Sequence, residues 1–180
     1  MNILSNPLKL AELQIKYLYH TEMQCLMYLK VLGHKMTNPI WKETIADYSL
    51  VTDHKIRNLE QLMTMMHIAE GNKNTAGING IMSEGFEQIE KEENPSIVDT
   101  IILKTVILSS HYKLGSYRML LCYLQPRTYE AYVARSILNQ EQKSLLTLMK
   151  LIKTSRAVTF DSQTDVSTSL QHVSHIFQPK

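Results

Sequence analysis

The sequence predicts an all-α chain: four long helices in a bundle, paired as two antiparallel hairpins and joined by a long crossover holding a short fifth helix. Three observations carry this. Only 6 Gly and 5 Pro punctuate 180 residues, fewer breaks than a sheet-rich domain needs for its turns. The breakers fall at widely spaced points along the chain. Between them, apolar residues recur at alternating three- and four-residue steps, the period of a helix that buries one face.

Ser5-Asn6-Pro7 offers a polar N-cap followed by proline in the first turn, which starts the first helix. Gly33 ends it. Asn38-Pro39 repeats the start signal, and the second helix runs to about Ile68, before Glu70-Gly71-Asn72. Asn94-Pro95-Ser96 opens the third long helix, which ends near Leu124 ahead of Gln125-Pro126. The last runs from about Arg127 to Thr154. Each spans about 40 Å at 1.5 Å per residue, the matched lengths that a bundle requires. The first pair and the last pair are joined by short turns and form hairpins. The middle connection, from about Ala69 to Asn94, is long. It carries its own amphipathic stretch, Ile78, Ile81, Met82, Phe86 and Ile89, which reads as a short helix. Two hairpins joined by one long crossover is the ferritin-like arrangement. Residues 1–154 are therefore expected to form the bundle. Residues 155–180 form a Ser/Thr/Gln-rich tail whose weak repeat at Leu170, Val173, Ile176 and Phe177 fits either a docked short helix or disorder.

Composition narrows the function classes. With 19 Lys+Arg against 17 Asp+Glu, the formal charge is +2. No basic block is present to neutralise phosphates, so nucleic acid is not an expected partner. Cys25 and Cys122 make neither a disulfide framework nor a Cys-x-x-Cys zinc spacing. The N-terminus lacks the apolar core of a signal peptide, and Lys104 interrupts the longest apolar run. A cytoplasmic chain with no membrane span is expected.

The core-facing seam of each helix has polar interruptions. In the first helix the seam runs Leu8, Ala11, Ile15, Leu18, Glu22, Cys25, Leu29 and Leu32, broken at Glu22. The second is broken at Thr52 and Lys55, the third at Ser110 and the fourth at Glu141. Each break lies near mid-helix, and mid-helix positions of equal antiparallel helices share one depth. Glu22, Thr52, Lys55, Ser110 and Glu141 are therefore expected to meet in one buried polar layer. In ferritin-like carboxylate proteins such a layer holds two metals, using Glu-x-x-His pairs whose spacing points both side chains inward. No Glu-x-x-His or Asp-x-x-His occurs here. Val51 precedes His54 by three residues, and Leu108 precedes His111.

The run Tyr19-His20-Thr21-Glu22-Met23-Gln24 resembles the first-helix motif of the YciE/YciF-type ferritin-like proteins, a bacterial family associated with stress responses. The resemblance covers roughly residues 8–153. It includes Ile56 and Leu59, His111-Tyr112 with Tyr117, and Leu138 with Glu141. The family's third helix typically carries Glu-His-Tyr-Glu where this chain has Ser110-His111-Tyr112-Lys113. Its second helix typically has Glu-Glu-Thr where this chain has Leu50-Val51-Thr52. Of the acidic cluster in the family's fourth helix, Glu141 remains, beside Asn139 and Gln140. The resemblance implies the fold and a homodimer. It leaves Glu22, Glu141 and His111 as vestiges of a metal site.

Two facing carboxylates in a core need a cation or a proton. Lys55 falls in the same layer. Its ammonium is expected between Glu22 and Glu141, with Thr52, Ser110 and Tyr48 or Tyr117 as hydrogen-bond partners. The resulting expectation is a non-catalytic protein with a degenerate di-metal site and a structural or interaction role, with no cofactor. Glu22 and Glu141 as an acid–base pair would make an enzyme, but no nucleophile accompanies them, so catalysis is left open and disfavoured. The competing class handles iron or manganese through a reduced mononuclear site of Glu22, Glu141 and His111. His54, and His172 with His175 in the tail, read as surface or chance histidines, and the methionines read as packing.

Overall fold

The computed structural model describes residues 6–69, 71 and 75–160, with side chains to Lys153. Five helices follow in order: α1 (Pro7–Lys35), α2 (Pro39–Met65), α3 (Ala76–Glu90), α4 (Pro95–Tyr123) and α5 (Tyr129–Phe160). Three begin in the same way, with proline in the first turn behind an asparagine cap. The side chain of Asn6 accepts from Leu8 N–H, that of Asn38 from Ile40 and Trp41, and that of Asn94 from Ser96. Each asparagine thereby satisfies amides that have no partner within the helix. α5 has no Asn-Pro start; Thr128 Oγ1 accepts from Ala131 N–H at 3.2 Å instead.

Helix ends depart from the sequence expectation in three places. Gly33 does not stop α1, which continues to Lys35. α2 ends at Met65, short of Ile68, because His67 adopts a left-handed conformation (φ 52°). Ile68 N–H then bonds Met63 C=O at 2.8 Å and His67 N–H bonds Thr64 C=O at 3.2 Å, a Schellman closure with histidine where glycine is usual. α5 runs to Phe160, past its expected end near Thr154. The expected tail repeat from Leu170 to Phe177 lies outside the described residues.

α1 with α2 and α4 with α5 form the two hairpins, and α1 packs on α4. The direction of α4 is set at the α1–α2 turn. The buried Asp99 carboxylate accepts from Thr37 N–H, Thr37 Oγ1–H and Asn38 N–H, each at 2.8 Å. α4 thus starts where α1 ends and runs antiparallel to it. α5 returns antiparallel to both α4 and α2. The crossover helix α3 packs on α4 from outside. Its two close approaches are at glycine: a Cβ at Gly85 would collide with the Thr105 side chain, and one at Gly77 would lie 2.9 Å from the Tyr112 ring. The core runs the length of the bundle, from Leu32, Ile45 and Leu103 at one end to Ala11, Leu62 and Leu120 at the other. Among the described residues, no helix is long and apolar enough to cross a membrane.

Candidate functional site

Eight polar side chains interrupt this core at one level. α1 contributes Glu22, and α2 contributes Tyr48, Thr52 and Lys55. α4 contributes Ser110, Lys113 and Tyr117, and α5 contributes Glu141. Within α2 and α4 these positions are three or four residues apart, so each trio lies on one helical face. None is more than 3 % exposed.

The two carboxylates bracket the two ammonium groups. Lys55 Nζ lies 3.1 Å from Glu22 Oε1 and also binds Glu141 Oε2. Lys113 Nζ lies 3.0 Å from Glu22 Oε2 and 3.3 Å from Glu141 Oε1. Each lysine therefore bridges both glutamates. The hydroxyls complete the set. Tyr117 donates to Glu22 Oε1 at 2.8 Å, while Tyr48 and Ser110 donate to Glu141 Oε1 at 2.5 and 2.6 Å. Both ammonium groups also approach the Tyr48 ring, at 5.2 Å for Lys55 and 4.9 Å for Lys113, within cation–π range. All four carboxylate oxygens have partners.

The electrostatics follow from mutual neutralisation. Burial pushes the Glu141 carboxyl up, but Lys113 and Lys55 outweigh it, helped by hydrogen bonds from Lys55 and Ser110, and hold it at about 2. Burial pulls the Lys113 ammonium down, yet Glu141 and Glu22 raise it well above its usual range. Burial raises the Tyr48 and Tyr117 phenols, and the neighbouring Glu141 and Glu22 charges add to this, so both remain protonated. Cys25 is pushed by burial up to about 12, which keeps a thiol and not a nucleophilic thiolate beside the layer. The arrangement is a closed, charge-balanced quartet of two ammoniums and two carboxylates.

The structure brings Glu22, Lys55, Ser110 and Glu141 together with both Tyr48 and Tyr117. Two other expected participants differ. Thr52 is fully buried at this level, but its Oγ1 has no hydrogen-bond partner among the described residues, so it bonds neither lysine nor glutamate. His111 is exposed, because it turns away from the face carrying Ser110 and Lys113, and it joins neither carboxylate. His54 is exposed as well.

Lys113 is the member that sequence reasoning missed. It appears there only as a departure from a family pattern, because the buried apolar position beside it is Leu114. Two signals were available. Lys113 stands three residues after Ser110 and four before Tyr117, on the same face, and two buried carboxylates with one lysine leave a charge unbalanced.

This donor set does not fit a di-metal centre: ammonium groups cannot ligate, and they occupy the oxygens that would. Among the described residues, no three His, Cys, Asp or Glu side chains are grouped to hold a metal ion.

Comparison with solved structures places the fold. The chain superposes on the Escherichia coli stress protein YciF with a TM-score of 0.75 at 18 % identity, over 82 % of this chain and 94 % of that one. It superposes equally on YcfI of Rhodopseudomonas palustris, described as a proposed structural protein, with a TM-score of 0.75 at 17 % identity, covering 82 % and 93 %. The architecture is ferritin-like in all three. No curated protein sequence matches the chain. A family model does match, from residue 10 to residue 159, and includes every residue of the quartet. The chain belongs to that family, the domain of unknown function DUF892.

Proposed function

We propose that this chain is a non-catalytic family member whose ionic quartet takes the place of a di-metal centre, leaving the bundle a structural or interaction role. The observation that carries the reading is the double bridge: Lys55 and Lys113 each contact both Glu22 and Glu141 inside the core. Every oxygen of both carboxylates is already engaged by an ammonium or a hydroxyl, so an incoming cation would have to displace one. Iron or manganese handling through a reduced mononuclear site is the competing reading. It would need His111 beside the two glutamates, and that side chain is exposed.

A homodimer in the cytoplasm, serving a stress response, is the physiological setting we propose. The fold shared with the stress protein YciF supports the stress-response part, and the family resemblance of the sequence suggests the dimer. Elemental analysis of the purified native protein tests the central point. Iron, manganese and zinc each far below one atom per chain are expected; near-stoichiometric metal would overturn the reading. Light scattering at micromolar concentration tests the dimer, and a monomer mass would remove that part alone.

A further inference from the structure

Two polar atoms beside the quartet lack partners. Thr52 Oγ1 on α2 and Gln140 Oε1 on α5 are both shielded from solvent without a hydrogen bond among the described residues, and Thr52 is fully buried. Stranding either oxygen would cost free energy comparable to a lost hydrogen bond. The register of the two helices relates them. Gln61 donates to Tyr129 at 3.1 Å near one end of the α2–α5 seam, and Tyr48 and Lys55 both reach Glu141 midway. Toward the other end, Tyr48 and Ser144 line opposite walls of a cleft of about 240 Å³, with Thr44 and Leu148 one turn further on. In an antiparallel pair, stepping one turn back along the same rows places Thr52 opposite Gln140. That register puts the two residues at facing positions, one turn from the cleft wall formed by Tyr48 and Ser144.

We propose that this seam holds an ordered internal water, hydrogen-bonded to Thr52 Oγ1 and Gln140 Oε1 and admitted through the cleft beside Tyr48. Two oxygens at facing positions supply the minimum partner set for a buried water. A cleft also opens between α1 and α4, near Thr21, but none of the eight layer side chains lines it. Of the two clefts beside the layer, the α2–α5 cleft is the one whose wall includes a hydrogen-bond partner of the quartet, Tyr48. The inference stands independently of the structural reading of the quartet.

A double-mutant cycle decides it by sign. With a bridging water, Thr52→Val and Gln140→Leu each leave the other oxygen and the water poorly bonded, so each lowers the melting temperature by about 2–4 °C. The double variant then falls by less than the sum. If the oxygens are stranded, each single substitution relieves a cost: both raise the melting temperature, the effects add, and the proposal is overturned. Additive losses overturn it as well. As a second readout on the wild-type protein, rotating-frame cross-relaxation between water and the Thr52 methyl group should report a long-lived water. Its absence would count against the site whatever the stability data show.

Discussion

Replacing Lys113 with methionine tests the charge logic of the layer most fully. The substitution keeps an unbranched side chain of similar length and deletes one ammonium. Glu22 Oε2 loses its 3.0 Å partner and Glu141 Oε1 its 3.3 Å contact, leaving two buried carboxylates to share Lys55. Breaking a buried pair in this way costs roughly 3–5 kcal/mol, mostly through the charge left unpaired. For a chain of this size that is a fall in melting temperature of about 6–20 °C. The pH dependence separates this account from simple loss of packing. In the wild-type protein Glu141 titrates at about 2, below its ordinary 4.5. A carboxyl depressed on folding contributes stability above its unfolded pKa, and that contribution disappears as pH falls from about 4.5 toward 2. Wild-type stability therefore rises as pH increases from about 2 to 4.5, by roughly 3 kcal/mol for this one group. In Lys113→Met two carboxylates share one ammonium, so protonating one of them relieves the strain, and stability falls as pH rises above the ordinary carboxyl range. Urea denaturation at a series of pH values measures both slopes. A variant within 1 kcal/mol of wild type at pH 7, with an unchanged slope, would refute the reasoning. Adding Glu22→Gln to Lys113→Met should restore part of the loss, because it removes the stranded charge.

Other consequences are simpler to measure. Asp99→Ala removes the acceptor for three hydrogen bonds at the α1–α2 turn, and a loss of about 2–4 kcal/mol is expected in chemical denaturation. Gly85→Ala drives a methyl into Thr105 and should cost about 1–3 kcal/mol, with faster hydrogen exchange in α3 and not in α1 or α2. Of the two free thiols, Cys122 is exposed and should react with an aromatic disulfide reagent at pH 8. Cys25 should react only after unfolding, and labelling of both thiols in the native state would contradict its burial and raised pKa. Replacing Glu22, Lys55, Lys113 and Glu141 together with apolar residues of similar volume should leave the bundle as stable as before or more so, since desolvation offsets much of the attraction in a buried ionic group.

The helix starts were legible because each rests on local chemistry: Asn-Pro states both the cap and the first φ. The helix ends were less so. His67 closes α2 in a left-handed conformation that sequence preference assigns to glycine, and tertiary burial of Ile68 at the motif's next position favours it over the nearby Gly71. Gly33 lies inside α1, where only a contact with Ile45 at ordinary distance constrains it. The depth of Glu22, Lys55, Ser110 and Glu141 could be read from an interrupted seam, since equal antiparallel helices place their midpoints together. Lys113 could not be read from an apolar pattern, because it lies on the edge of that stripe. Its burial becomes apparent from the face it shares with Ser110 and Tyr117, once the number of carboxylates is matched against the number of cations. Thr52 shows the converse limit: periodicity placed it at the right depth but carried no information on which way its hydroxyl is satisfied.

The central claim is that two ammonium groups, not two metal ions, stand between Glu22 and Glu141. Crystals grown in excess manganese, with diffraction recorded where manganese scatters anomalously, test it directly. The account predicts no anomalous peak between the two glutamates, and density for the Lys55 and Lys113 side chains ending within hydrogen-bond distance of both. A manganese peak ligated by Glu22 and Glu141, with either lysine displaced, would contradict it.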